Sequence, residues 1–296
     1  MNFEVEKLPK STFILKVTIP SDEIGKIRDH VIDDLAKEIE LPGFRKGTAP
    51  RSLAEKSLDE SKIRGEVINH AVSSIYPQVI KESHLKPIVF PRVEVKQYEI
   101  GKDFIFEAKV CEKPDFKIGD YKETLKNLSL KLDNKILGTD GKPVTESEPE
   151  NNIDKIIDVV ANGSEVDVPD ILVDEEVNHM LSRLIDQTGR LGLTVEQYLN
   201  SSGRTLDQIK QEYSQTALKT LKLEFLLYEI ADSEKITATE KEIADAVSAA
   251  PDEKSRAELS KEENKNYVRS IILKNKVIQY LVQLSEGSKN DENKYS

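Results

Sequence analysis

The sequence predicts an α+β domain over residues 1–114 followed by an all-α domain over residues 153–286, in an elongated multidomain chain. Two observations lead to this. Before residue 114, runs with apolar residues at alternate positions flank runs with apolar residues at helical spacing. Beyond residue 153 the alternation stops, and Thr194/Gln197, Thr205/Gln208, Thr237/Glu240 and Ser260/Glu263 each match the capping-box spacing that starts a helix. Composition agrees: of 296 residues 33% are charged and 6% aromatic, with no Trp, which favours a helix-rich, well-solvated surface. The length suffices for two separate cores.

Residues 2–19 alternate as two strands with a turn at Leu8-Pro9-Lys10, and Phe13, Leu15 and Val17 share one face. Pro20 ends the pair. Ser21 is placed as an N-cap with Asp22 and Glu23 in the first turn, followed by Ile24, Ile27, Val31, Leu35 and Ile39 at helical spacing. After a loop over 41–50, Pro50 suits a first helical position. A second helix then carries Leu53, Leu58, Ile63, Val67, Ala71 and Ile75, with Pro77 expected to kink or end it. Ile88, Val89 and Phe90, then Val93 and Val95, then Phe104, Phe106, Ala108 and Val110 read as strands, with a turn over 99–103.

Residues 115–152 read as a linker, with Leu125, Leu128, Leu130 and Leu132 in an extended segment before two polar, turn-rich stretches. Helices follow over 153–161, 174–188, 205–232 and 260–285, and residues 287–296 read as a disordered polar tail.

The charge balance excludes several function classes. A formal net charge of -11 and a pI near 5.1 argue against DNA or general nucleic-acid binding, which needs a broad basic face. Cys111 stands alone and cannot form an intrachain disulfide, and the N-terminus lacks a cationic and an apolar signal region. No run reaches the roughly 20 apolar residues of a membrane span. The expected location is therefore cytoplasmic, with no membrane partner. His30, His70, His84 and His179 lack metal-ligand spacing, and no nucleophile motif or phosphate-binding glycine loop is present, so neither metal, cofactor nor catalytic residue is assigned. The acidic pairs at Glu175 and Glu262 sit in helix first turns, where the dipole accounts for them.

The loop over 41–50 is the stretch with functional character. It holds two prolines and two glycines, and Phe44 stands between Gly43 and Arg45. From Leu41 to Ala54 there is no acidic residue, while Arg45, Lys46 and Arg51 are basic. A local positive patch on an acidic chain suggests an anionic target. Gly43-Phe44-Arg45-Lys46-Gly47 with Pro50 resembles the G-F-R-x-G-K-x-P signature of the bacterial trigger factor family, departing at Thr48, where the family has a basic residue. The strand and helix order before Pro114 also resembles that family's ribosome-binding domain. Ser164-Glu165-Val166-Asp167-Val168-Pro169 resembles the entry into its C-terminal helical domain.

The resemblance implies an ATP-independent chaperone that docks on the large ribosomal subunit near the exit tunnel, touching protein and rRNA, and shields unfolded nascent polypeptides. Gly43, Phe44, Arg45, Lys46, Gly47 and Pro50 would bind the ribosome. Phe225, Leu226 and Leu227, which cover nearly all sides of one helical turn, would contribute to a client surface. Family members carry an FKBP-type prolyl-isomerase module, roughly ninety residues and itself the size of a domain. Residues 122–197 contain no Phe, Tyr or Trp to wall its pocket, so this chain is expected to lack it and to be no enzyme. The alternatives are a prolyl isomerase working through a reduced linker domain and a ribosome-free holdase or assembly chaperone.

Overall fold

The computed structural model describes residues 1–48, 50–133 and 149–286, which form two compact units, Met1–Pro114 and Asp115–Ser296. In the first, β1 (Asn2–Leu8) and β2 (Thr12–Ile19) precede three helices, α1 (Ser21–Glu38), α2 (Arg51–Ser57) and α3 (Glu60–Ser83). The chain then returns through β3 (Arg92–Gln97) and β4 (Phe104–Cys111). The four strands form one antiparallel sheet in the order β1-β2-β4-β3. Phe13, Leu15, Val17 and Ile19 of β2 and Phe104, Phe106, Ala108 and Val110 of β4 are buried on one face. Ile24, Val31, Ile32 and Leu35 of α1 and Ile63, Val67, Ala71, Ile75 and Val79 of α3 complete that core. The period-2 and period-3.6 patterns thus meet on a single apolar layer.

Three local expectations change, and that for Pro77 narrows to a proline inside the helix. Ser21 lies inside α1 rather than capping it: Pro20 holds the N-cap position, and the Ser21 amide donates to Asp103 Oδ1 at 2.9 Å. The second helix is two, because Asp59 caps α3 by accepting from the Ser61 amide. Pro77 sits within α3 without ending it. An interior proline costs about 3 kcal/mol, and burial of Ile75 and Val79 on either side offsets this. Ile88, Val89 and Phe90 are not a strand, since Pro87 and Pro91 remove the donors a ladder needs and β3 starts only at Arg92.

The second unit opens with β5 (Phe116–Ile118) and α4 (Tyr121–Asp133), followed by α5 (Pro149–Asn162) and β6 (Ser164–Val166). Five helices come next: α6 (Asp170–Arg190), α7 (Val195–Ser202), α8 (Leu206–Ser233), α9 (Glu240–Ser248) and α10 (Glu253–Leu259). The last is α11 (Glu262–Glu286). β5 and β6 pair antiparallel. Residues 115–133 are therefore not a linker, and the leucine stretch is helical, not extended. Leu125 and Leu128 are also three apart, a helical spacing, and Leu125 is fully buried with Ile156, Val160, Leu226, Leu227, Ile230, Val277 and Leu281. The remainder of the expected linker up to residue 148, and the expected tail over 287–296, lie outside the described residues.

Of the four helix starts, Thr194/Gln197 and Thr205/Gln208 form both reciprocal bonds of the box. The third box is Thr239/Glu242, two residues past the expected one. The Thr237 carbonyl and the Glu242 carboxylate both accept from Lys276 Nζ, at 2.8 and 2.7 Å, which ties Thr237 into the approach to α9 rather than into its cap. Ser260 ends α10 instead of starting α11, and Asp252 caps α10.

Where α4, α8 and α11 meet, Glu234 accepts from Tyr121 Oη at 2.7 Å, Tyr280 Oη at 2.8 Å and Lys122 Nζ at 2.6 Å. These hydrogen bonds, that from Lys122 first, hold its carboxyl at about 2, below the usual 4.5. A depressed carboxylate stabilises the fold fully above its unfolded value and loses that contribution as pH falls toward the folded one. Thermal unfolding followed by circular dichroism should therefore show stability falling from pH 5 toward pH 2. Glu234→Gln should remove part of this slope and cost about 1–3 kcal/mol at pH 7. An unchanged slope would show that the cluster contributes nothing.

Candidate functional site

The loop between α1 and α2 is closed by its own backbone. Ile39 ends α1 by donating to the Leu35 carbonyl at 3.2 Å and in turn accepts from the Gly47 amide at 3.3 Å. Inside that ring the Phe44 amide donates to Leu41 O at 3.0 Å, and Thr48 donates to Arg45 O through its amide at 2.9 Å and its hydroxyl at 2.6 Å. Thr48, the departure from the family pattern, thus serves the loop's internal geometry. Gly47 has φ +75°, and a Cβ there would lie 2.8 Å from the Lys37 carbonyl oxygen. Gly43 has φ +85° in open space. One glycine is required by conformation and contact, the other by conformation alone.

With the polar backbone turned inward on itself, the side chains are left outside. Phe44 is 38% exposed. Arg45 and Lys46 are exposed, and neither has an ion-pair partner among the described residues. The third expected cation behaves differently: Arg51 binds Asp29 at 2.5 Å and Asp33 at 3.4 Å on α1. Pro50 is the N-cap of α2, one position earlier than expected, and its carbonyl accepts from Leu53 and Ala54. The structure therefore sorts the motif into a frame of Gly43, Gly47 and Pro50 and a display of Phe44, Arg45 and Lys46.

The helices that carry the loop are fastened by Arg28, which sequence reading missed. From α1 it reaches Glu55 of α2 and Glu60 of α3, both at 3.0 Å. Burial alone would lower its pKa, but the bonds to the two carboxylates outweigh this and raise it. No motif spacing signals such a bridge, because its partners are 27 and 32 residues away.

The expected client residues are not free surface. Leu226 and Leu227 are buried in the core around Leu125, and Phe225 packs edge-on against Phe116, with ring centroids 5.8 Å apart. A turn that is apolar all round is buried on all sides, and the correction follows from that. The exposed apolar residues lie elsewhere. Leu191, 76% exposed, and Leu193 mark the turn between α6 and α7. Glu224 pairs with Lys274 and Glu234 with Tyr280, so α8 and α11 run in the same direction. Their second halves share the core, with Leu226, Leu227, Val277 and Leu281 in contact. The Ala217 region of α8 instead packs on Val173, Val177 and Met180 of α6, and Arg269 of α11 pairs with Glu240 at the start of α9. Leu218 on α8 and Tyr267 and Ile271 on α11 remain exposed, Tyr267 to 61%. Exposure depends on which helices diverge, which a single stripe of residues does not reveal.

Among the described residues no group of three or more His, Cys, Asp or Glu could hold a metal ion, and no helix is long and apolar enough to cross a membrane.

The chain thus combines an α+β unit presenting a Phe-Arg-Lys loop with a helical unit that has exposed apolar residues. The family model for the bacterial trigger factor protein matches residues 1–136, and that for the trigger factor C-terminus matches residues 144–283. The chain belongs to the trigger factor family. It is 32% identical over 147 residues to the trigger factor of Clostridium botulinum (strain Hall), covering 49% of this chain and 34% of that protein. To that of Staphylococcus aureus (strain JH9) it is 38% identical over 117 residues, covering 40% and 27%. The aligned part thus spans about a third of these relatives' length. A solved structure of the trigger factor chaperone superposes with a TM-score of 0.64 over 96% of this chain and all of that one, at 15% identity, and so shares the fold.

Gly47→Ala should strain the loop twice, through its positive φ and through the Lys37 carbonyl, and destabilise the protein by about 1–3 kcal/mol. Phe44→Ala removes a partly exposed side chain and should cost less than about 1 kcal/mol. Urea unfolding of both variants checks the division between frame and display, and a larger loss for Phe44→Ala would reverse it.

Proposed function

We propose that this protein is a ribosome-associated, ATP-independent molecular chaperone that docks through its 41–50 loop and shields nascent polypeptides with its helical unit. The observation that carries the reading is the loop itself: its backbone is satisfied internally while an aromatic and two cations stand outward, with no acid in the loop to neutralise them. The ligand it fits is a surface with an apolar recess beside carboxylates or phosphates, such as the large ribosomal subunit near the exit tunnel. That assigns the protein to the cytosol. Burying the exposed third of Phe44, roughly 80 Å², contributes about 2 kcal/mol. A bidentate Arg45 contact adds about 1.5–3 kcal/mol. Lys46, a screened point charge, adds less. Together these come to about half or more of the about 8 kcal/mol in a micromolar complex.

The client surface we assign to exposed apolar residues on the two diverging halves of α8 and α11 and at the α6–α7 turn, principally Leu191, Leu193, Leu218 and Tyr267. The isomerase module is absent in this reading, because only residues 137–143 separate the stretches matched by the two family models. Seven positions cannot enclose a proline pocket.

Two experiments test these roles. Replacing Phe44, Arg45 and Lys46 together by Ala should lower ribosome affinity by about a thousandfold, from the energies above, and abolish co-sedimentation while leaving the circular-dichroism spectrum unchanged. Wild-type pelleting by the triple variant would return the loop to a structural role. In refolding of a client limited by proline isomerisation, the protein should suppress aggregation without shortening the slow phase of tens of seconds or more. Ser at Leu191, Leu193 and Tyr267 should weaken the suppression. A catalysed slow phase would favour the isomerase reading instead.

A further inference from the structure

Helix α2 follows the 41–50 loop directly, and its own packing is slight: Ala54 is the one buried residue it contributes, while Leu53 is exposed. Ion pairs supply the rest. Arg28 Nη1 donates to Glu55 Oε1 at 3.0 Å, and Nη2 donates to the two carboxylate oxygens of Glu60 at 3.2 and 3.0 Å. One planar fork therefore joins α1 to α2 and to the first turn of α3, a geometry that suits a guanidinium better than an ammonium. Arg51, the first residue of α2, pairs back to Asp29 and Asp33 on α1.

The two ties are not equal. The Arg28 side chain keeps 18% of its surface, against 45% for Arg51. An exposed pair holds little, whereas a sheltered guanidinium with three charge-assisted bonds holds more. Arg28 is thus the principal tie on α2. The loop itself spans from the end of α1 to the start of α2, and the Gly47 amide closes it onto the Ile39 carbonyl. Its shape depends on where those two helix ends stand.

We infer that Arg28 is a positioning residue for docking: by bonding Glu55 and Glu60 it holds α2 in place, which keeps the 41–50 loop closed and its Phe44, Arg45 and Lys46 display ordered before a partner arrives. The inference rests on the docking reading of that loop and adds a residue outside the loop that sets its affinity. Arg28 is ill-suited to touch the partner itself. Both of its terminal nitrogens are engaged by carboxylates and its Nε is enclosed. Without it, the cost of ordering the loop passes to the binding step.

The sign of one effect separates positioning from direct contact, with the full chain on intact ribosomes. Replacing Glu55 and Glu60 together by Ala removes both acceptors and leaves the Arg28 charge free. Were Arg28 a contact cation, loss of two neighbouring carboxylates would strengthen binding to an anionic surface. Positioning requires the opposite, a weakening of about tenfold. Alanine preserves the helical tendency of α2 and α3, so the circular-dichroism spectrum should not change. Arg28→Met, which keeps an apolar stem, should weaken binding by a similar factor. In both variants the Gly47 amide should exchange hydrogen faster while central-strand amides such as that of Leu15 exchange as in wild type. Arg28→Met combined with Phe44→Ala should cost less than the product of the two separate factors, because Arg28 acts partly through Phe44. Wild-type or tighter binding by the Glu55/Glu60 variant, unchanged Gly47 exchange, or a fully multiplicative double variant overturns the inference. If Phe44→Ala still weakens binding in that case, the docking loop stands and only the role of Arg28 fails. If the wild-type chain does not pellet at all, both fall together.

Discussion

Arg28 bonds from α1 to carboxylates on both α2 and α3, and this one guanidinium fixes where the helices flanking the 41–50 loop can lie. α2 is only seven residues long, too short to persist alone, and it buries a single side chain, Ala54. Its position is therefore electrostatic as much as apolar. Arg51 repeats the device at the other end of α2 with Asp29 and Asp33. With both ends of α2 tied to α1, the intervening chain has to reverse within about a dozen residues. That reversal places Gly47 against the Lys37 carbonyl and leaves Phe44 partly exposed. The exposure of Phe44 thus depends on the ion pairs between α1 and α2 as well as on the loop sequence.

The helical unit is built on a different principle. Its core is a seam of aliphatic residues from four helices, α4, α5, α8 and α11, and the polar cluster on Glu234 closes one edge. Long helices that share a core along only part of their length must find other partners for the rest, and α8 finds α6 while α11 finds α9. Each half then has an apolar strip wide enough for one neighbour and a remainder that none covers. The open apolar surface is a by-product of divergence, which explains how a well-packed domain can carry exposed Leu218, Tyr267 and Ile271 without lacking a core.

Much of this was legible in the sequence, and the failures have physical causes. The sheet and its helices follow from two periodicities that do not depend on context. Two capping boxes form as spaced, whereas Thr239 rather than Thr237 caps α9, and Lys276, far along the chain, bonds the Thr237 carbonyl. The spacing of Leu125, Leu128, Leu130 and Leu132 fits both period 2 and a spacing of three, and helix α4, with Leu125 in the core, decides between them. Hydrophobicity on nearly all sides of the turn at Phe225, Leu226 and Leu227 marks packing rather than a client surface: Leu226 and Leu227 are buried and Phe225 packs on Phe116. At the loop, residue types separated the motif from its surroundings, but not the glycine frame from the Phe-Arg-Lys display. Arg51 looked equivalent to Arg45 until its partners on α1 were placed.

The net charge of -11 bears on how such a site can be selective. Screening at physiological salt reduces charge effects beyond about 8 Å, so Arg45 and Lys46, in a loop free of acids, act on a partner at contact distance largely as local cations. At longer range the remaining field is that of an acidic protein and repels nucleic acid. An RNA-rich surface would thus be approached without electrostatic capture and held only where shape allows the loop to reach it. Binding that gains little from long-range steering forms near the neutral rate of 10⁵–10⁶ M⁻¹s⁻¹ and owes its discrimination to contact terms. For the proposed docking those terms would be an aromatic ring and a guanidinium presented by a loop whose backbone bonds close on themselves. Loosening that backbone would weaken docking even with every contacting side chain in place, because the cost of ordering the loop would then fall on the binding step.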